Sequence, residues 1–203
     1  MSQQQSNPQA ETHPIIAGRW SPRAFSEQAV ESKKLTACLE AARWSSSCFG
    51  DEPWRFIVAD KASNPNGWQQ MLATLVEKNQ LWAQHAPVLI LACAANNFLH
   101  NGKPNRWAQY DTGQAMMSLA LQATAIGLVT HSMGGFDPAA GTATFNIPDE
   151  FTAMSVTAVG YPGDIETLDE SFRAAETTQR KRKPINEIAF TTWNKSWNNE
   201  EQI

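Results

Sequence analysis

Two basic runs at opposite ends of the chain carry the residue types that could hold an anion. Near the start, Arg19, Trp20, Ser21, Pro22 and Arg23 set two guanidinium groups four residues apart around a hydroxyl; far downstream, Arg180 and Arg182 stand in the run 180–184, RKRKP. A planar guanidinium bonds two anionic oxygens at once, and a serine hydroxyl fills a further acceptor site. A fold that joins both ends therefore makes a phosphate pocket. Taken singly, the first run also suits solvated surface, and the second also suits a nucleic-acid patch.

Three further stretches offer polar contacts. Ser46, Ser47 and Cys48, with Phe49 and Gly50, form a loop of small residues before a β-rich run, whose hydroxyls and amides suit an acceptor-rich ligand or an ordinary polar turn. Asn79 carries a carboxamide that can close a helix or read the donor and acceptor edge of a heterocycle. Met133, Gly134 and Gly135 lead into Phe136-Asp137-Pro138, where paired glycines allow close approach of a ligand or a tight strand-to-helix turn. G-x-S-x-G, H-E-x-x-H and P-loop patterns are absent, and the four histidines lack ligand spacing. Cys48 has no histidine that the sequence can position beside it. No catalytic side chain and no metal site is therefore assigned, and the chemistry has to come from a borrowed group. Arginines at both chain ends and an amide for a ring edge point to a phosphorylated organic cofactor. Without G-x-G-x-x-G, a mononucleotide is preferred over a dinucleotide.

Composition narrows the classes further. Sixteen basic against 20 acidic residues give a net charge of -4, which argues against a general nucleic-acid or anionic-membrane binder. Three cysteines without C-x-x-C spacing indicate neither a disulfide framework nor a zinc site, so a reduced compartment is expected. The start of the chain is polar and lacks the features of a secretory signal. The expectation is a cytoplasmic protein with residues 1–13 a disordered tail and residues 14–203 one domain.

The elements that must position these residues follow from periodicity. Ser32 is expected to cap a helix carrying Leu35, Cys38, Leu39 and Ala42. The stretches 56–59, 88–94, 128–133 and 154–163 read as strands. Trp68, Met71, Leu72, Leu75 and Val76 predict one amphipathic helix with Asn79 at its far end. The segment 111–127 is apolar on nearly every side and predicts a central helix covered by a second copy of the chain. Asp137 and Pro138 read as Ncap and N1 of a short helix. Residues 164–179 are mainly polar and acidic, and the aromatic end of the chain suits an arm laid on a partner subunit. Residues 97–110 form a polar connection of the kind that lies over binding sites. For each of the eight tryptophans, packing is the more ordinary role.

The order of these motifs resembles the FMN-dependent nitroreductase family from about Ile16 to about Phe190. The resemblance rests on RWSPRAFS, the serine loop ending EPWRFIV, EKNQLWAQHAPVLI, DTGQAMMSLALQA, MGGFD, VGYPGD and RKRKP. It implies an α+β nitroreductase-like fold: a central, mainly antiparallel sheet flanked by helices, in a domain-swapped homodimer with FMN at the subunit interface. It further implies that Arg19, Ser21 and Arg23, beside Trp20, hold the ribityl phosphate with Arg180 and Arg182. Asn79 is implied at the polar edge of the isoalloxazine, with Met133, Gly134 and Gly135 close to the ring. Ser46, Ser47 and Cys48 are implied against the flavin from the partner chain. The activity implied is ping-pong hydride transfer from NAD(P)H to a small oxidised acceptor, a nitroaromatic, quinone or enal/enone. The alternatives are an FMN carrier or sensor without turnover, and a family member with dehalogenating or flavin-fragmenting chemistry. Two positions depart from the family loop, Gly50 for Asn and Glu52 for Gln, which bears on the acceptor and on the charge near a reduced flavin.

Overall fold

The computed structural model describes residues 8–197. The part of the expected disordered tail at residues 1–7 lies outside the described residues. Within the remainder, Gln9 accepts a 2.8 Å bond from the Ile185 amide.

A four-stranded sheet forms the frame, in the order β1 (Trp54–Asp60), β2 (Val88–Ala95), β4 (Phe151–Gly160), β3 (Val129–Met133), with every neighbouring pair antiparallel. All eight residues of β2 are buried, as an apolar run between two covered faces requires. Side chains alternate across a strand. Val88 and Ile90 thus pack on one side with Cys38 and Ala42 of α2 (Ser32–Arg43) and with Ala115, Leu119 and Ala123 of α5 (Ala108–Ala125). Leu89, Leu91 and Cys93 pack on the other with Trp68, Met71 and Leu72 of α3 (Pro65–Ala73) and Trp82 of α4 (Glu77–Ala83). A register shift at Ala92/Cys93 marks a bulge in the pairing of β2 with β4. The chain has an α+β fold with an antiparallel sheet and helices on both faces.

Several expected boundaries move. The Ncap of α2 is Glu31, without a side-chain cap bond, and Ser32 already lies in the first turn. The single helix expected from Trp68 is two helices. Its hydrophobic period runs through Leu75 and Val76, but Leu75 forms a β-bridge to Phe136, and the Val76 amide donates to Gly135 at 3.1 Å. Tertiary pairing breaks the helix there, and Asn79 falls in the first half of α4 rather than at the end of α3. The central helix starts at Ala108, earlier than expected, and β4 starts at Phe151. Along α5, a single stripe containing Asp111, Thr112, Ala115, Leu119 and Ala123 is buried, whereas Tyr110 and Met117 are exposed.

Asp137 caps α6 (Pro138–Phe145) as expected, accepting from the amides of Ala139 and Ala140 at 2.9 and 3.0 Å. The acidic stretch 164–179 contains α7 (Glu170–Thr177), whose Phe172 and Glu176, four residues apart, share the buried face. The last described residues form the hairpin β5 (Phe190–Thr192) and β6 (Lys195–Ser196), with Trp193 and Trp197 exposed. Among the described residues, no helix is long and apolar enough to cross a membrane.

Candidate functional site

The two basic runs do meet. A short helix, α1 (Pro14–Gly18), leaves carbonyls at its C-terminus that need donors, and Arg180 supplies them. Its guanidinium donates to Arg19 O at 2.6 Å and to Ala17 O at 2.5 Å. Arg19 therefore leaves the helix with its side chain beside Ser21, donating to Oγ at 3.2 Å. Burial, then the positive charges of Arg180 and Arg182, hold the Arg19 guanidinium below its usual pKa. Arg180 is lowered for the same reasons, burial first and then Arg182. Like charges gathered in a half-buried position disfavour one another, and a bound anion reverses the sign of that effect.

Arg23 sits apart from this cluster. Its guanidinium is 3.8 Å from the Glu176 carboxylate and lies 5.9 Å from the centre of the Phe172 ring. Glu176, with no exposed surface, accepts from the amides of Arg23 at 2.9 Å and Ala24 at 3.4 Å. On the other side, His131 of β3 has Nδ1 at 2.9 Å from Pro22 O. A carbonyl only accepts, so Nδ1 carries the proton and the tautomer is fixed. Burial pushes the His131 pKa down to about 4, helped by the charges of Arg23 and Arg19 against the Pro22 bond, so the ring is neutral at pH 7. Sequence reasoning missed both clamps. Glu176 had a signal in its i, i+4 pairing with Phe172; His131 had only its place in a strand.

The Asn79 carboxamide donates to Gly135 O at 3.0 Å, joining two predicted site residues through α4. A Cβ on Gly135 would meet Asn79 Nδ2 at 2.7 Å and Val76 Cγ2 at 3.1 Å, so this glycine is required by the packing of α4, while one on Gly134 meets nothing within 4 Å. The Met133 side chain is buried in the core, which leaves only its backbone for a cofactor.

The serine loop is pinned to α5. Ser45 and Ser118 share a 2.7 Å hydroxyl bond, Ser46 donates to Gln114 at 3.4 Å, and the Cys48 amide donates to buried Asp111 at 2.9 Å. Within its own chain this loop shares no hydrogen bond with the arginine cluster among the contacts described. Phe49, Gly50 and Glu52 all have positive φ, so glycine at 50 relieves strain in a left-handed turn. Ser47 Oγ accepts from the Glu52 amide at 3.0 Å, and the Glu52 charge acts on Arg43.

A cleft of about 430 Å³ lies between α5 and the sheet, lined by Arg19, Ser21, Gln109, Thr112, Thr130 and Ser132 among others. Thr112 is 2 % exposed, and its hydroxyl has no hydrogen-bond partner among the described residues. An orphaned buried hydroxyl beside a guanidinium cluster and several hydroxyls fits a ligand that is anionic at one end and polyhydroxylated beyond it. A second cavity of about 1050 Å³ is lined by Trp20, Pro22, Phe25, Ile165 and Glu176 among others, on the other side of the strap formed by residues 19–24, and none of the arginines lines it. Trp20 thus lines a different wall from Arg19 and Ser21. Among the described residues, no group of three or more His, Cys, Asp or Glu is placed to hold a metal.

The antiparallel sheet between helices is the fold of known nitroreductase-family proteins. The family model for the nitroreductase family matches residues 16–161, and the chain belongs to that family. A solved structure described as an oxidoreductase containing FMN is 33% identical, covers 92% of this chain and 94% of its own, and superposes with a TM-score of 0.87. An uncharacterized 15.4 kDa protein of Mycolicibacterium smegmatis is 34% identical over 120 residues, 59% of this chain and 80% of its own length. A Streptomyces coelicolor protein provisionally named NADH dehydrogenase/NAD(P)H nitroreductase is 24% identical over 172 residues, 75% of this chain and 83% of its own.

Proposed function

We propose that this oxidoreductase binds FMN and moves hydride from NAD(P)H through it to a small oxidised acceptor, by ping-pong, as a homodimer. The observation that carries the reading is the convergence of Arg19, Arg180 and Arg182 around Ser21, where burial and mutual repulsion already depress the Arg19 pKa. A dianionic phosphate matches that donor set. The FMN in the 33% identical structure and the name of the Streptomyces coelicolor relative support the cofactor and the co-substrate, respectively.

FMN, when bound, supplies a ring that accepts and returns hydride. Arg19 and Ser21, with Arg182, bind its phosphate, and Arg180 orients Arg19 through the carbonyls at the end of α1. Thr112, Thr130 and Ser132 offer hydroxyls along the cleft. Asn79 fixes the Gly134-Gly135 backbone by its bond to Gly135 O. The serine loop and the exposed faces of Tyr110 and Met117 are assigned to the subunit interface, where Ser46, Ser47 and Cys48 reach the partner's cofactor.

The test is direct. Purified protein is expected to be yellow and to release FMN on heating, and to oxidise NAD(P)H steadily when a quinone is added. Arg19→Ala with Arg182→Ala is expected to bleach it. A double variant that keeps its full flavin content would remove the phosphate assignment, and flavin without turnover would leave a carrier.

A further inference from the structure

The strap from Arg19 to Ala24 has no helix or strand of its own to hold its shape, yet it divides its residues between two cavities: Arg19 and Ser21 line the 430 Å³ cleft, Pro22 and Ala24 the larger one. Such a segment needs external partners for its backbone. Arg180 and His131 hold the carbonyls of Arg19 and Pro22, the Gly163 amide holds that of Ala24, and one carboxylate holds two consecutive amides. Glu176 accepts from two consecutive strap amides, Arg23 and Ala24, and faces the Arg23 guanidinium. It reaches the strap across 153 and 152 residues of sequence, from a helix whose other buried residue is Phe172.

Resting on the FMN reading above, we infer that Glu176 is a positioning residue for the cofactor phosphate: its buried carboxylate fixes the strap so that Arg19 and Ser21 face the cleft while Arg23 is drawn away from it. Two consequences distinguish this role from ordinary packing. Burial raises the Glu176 pKa, so desolvation of the charge exceeds what the two amides and Arg23 return, and the ionised group is held at a cost to folding. A residue kept at that cost, in contact with the ligand-bearing strap, contributes elsewhere. Arg23, drawn to Glu176, leaves Arg19 and Arg182, with Ser21, as the phosphate set.

The experiment compares FMN affinity with apoprotein stability in the full chain. Glu176→Gln keeps the shape but presents an NH₂ donor to one of the two strap amides. FMN titrated into flavin-stripped protein is expected to bind about tenfold more weakly in this variant, because a hydrogen bond to a charged group is lost from the strap. Its apoprotein is expected to melt close to wild type, because relief of the buried charge offsets the lost bond. The control is Leu168→Val, at a residue 3% exposed in the same core beside α7. It is expected to lower the melting temperature while leaving FMN affinity within about twofold of wild type. Glu176→Gln with wild-type affinity overturns the inference, as does a Leu168→Val protein that loses FMN as strongly. Should Glu176→Gln not fold, Glu176→Asp keeps the charge and shortens its reach, and it must weaken FMN relative to Leu168→Val. Wild-type protein that binds no FMN sinks the proposed function itself, an outcome separate from all of these.

Discussion

Asn79 Nδ2 donates to Gly135 O at 3.0 Å, and the space that this bond occupies is the space a Cβ on Gly135 would need. The same carbonyl accepts from the Val76 amide at 3.1 Å, so the turn after β3 is stitched to the start of α4 at two points. Gly135→Ala is therefore expected to cost about 1–2 kcal/mol, through displacement of Asn79 and crowding of Val76. Gly134→Ala, with open space around it, is expected to stay within about 0.5 kcal/mol of wild type. Urea denaturation of the two variants reads the contrast, and equal losses would show that the Asn79 contact is not what demands glycine.

The arginine cluster makes a second prediction about stability. Because Arg19 is disfavoured by burial, Arg180 and Arg182, Arg19→Ala apoprotein is expected to be at least as stable as wild type at low salt. FMN at about 100 times its dissociation constant is expected to stabilise the wild type by about 2.7 kcal/mol and the variant by far less. Thermal melts with and without FMN show both effects. An apoprotein that melts well below wild type would mean that the guanidinium serves the fold rather than the ligand.

His131 sets a pH dependence. An unfolded histidine titrates near 6.5 and the folded one near 4, with burial the main cause. Between those values the unfolded chain binds more protons, so this residue's contribution to stability is full above pH 6.5 and is lost as pH falls toward 4, by up to about 3 kcal/mol. Glu176, raised in the folded state, acts with the opposite sign: the fold is favoured more as its carboxyl protonates. The comparison of wild type with His131→Asn isolates the histidine, and stability of the variant is expected to vary less between pH 7 and pH 4.5. Parallel curves would show that His131 is not buried neutral against Pro22.

Much of this site was legible because its chemistry is local in sequence. Arg19 and Ser21 sit two residues apart, the run 180–184 carries its own cations, and Asp137 before Pro138 is a cap by composition alone. The apolar run 88–94 announced a buried strand. Other features depend on which distant segments pair. The Leu75–Phe136 bridge ends α3 against its own hydrophobic period and moves Asn79 onto α4. Met133 looked like a ligand contact beside two glycines, but strand alternation turns its side chain into the core. Glu176 lay in an acidic stretch where its i, i+4 spacing from Phe172 marked a shared face but no partner, and only the folded strap gives it amides to accept from. Asp51 ties two loops that only the fold brings together.

That tie carries the last prediction. The Asp51 side chain, 2% exposed, accepts from the amides of Leu99 at 2.8 Å and His100 at 3.1 Å, and lies 2.6 Å from His100 Nδ1. Burial alone would push its pKa up; the His100 bond and the two amides hold it below the ordinary carboxylate value. Its contribution to stability is therefore present at neutral pH and lost only as pH falls through that lowered value. Above the tie, Phe49, Phe98 and His100 form a ring cluster with centroids 5.2–5.9 Å apart, so the serine loop and the loop 97–105 move as one unit while the carboxylate is in place. Asp51→Ala leaves two amides without their acceptor, a local cost of about 2 kcal/mol. Amide hydrogen exchange at Leu99 and His100 is expected to quicken roughly thirtyfold, while the all-buried β2 keeps its protection. Exchange that is unchanged at both amides would show that the loop is held by its own turn, in which Phe98 and Lys103 pair at 2.7 Å, and not by Asp51.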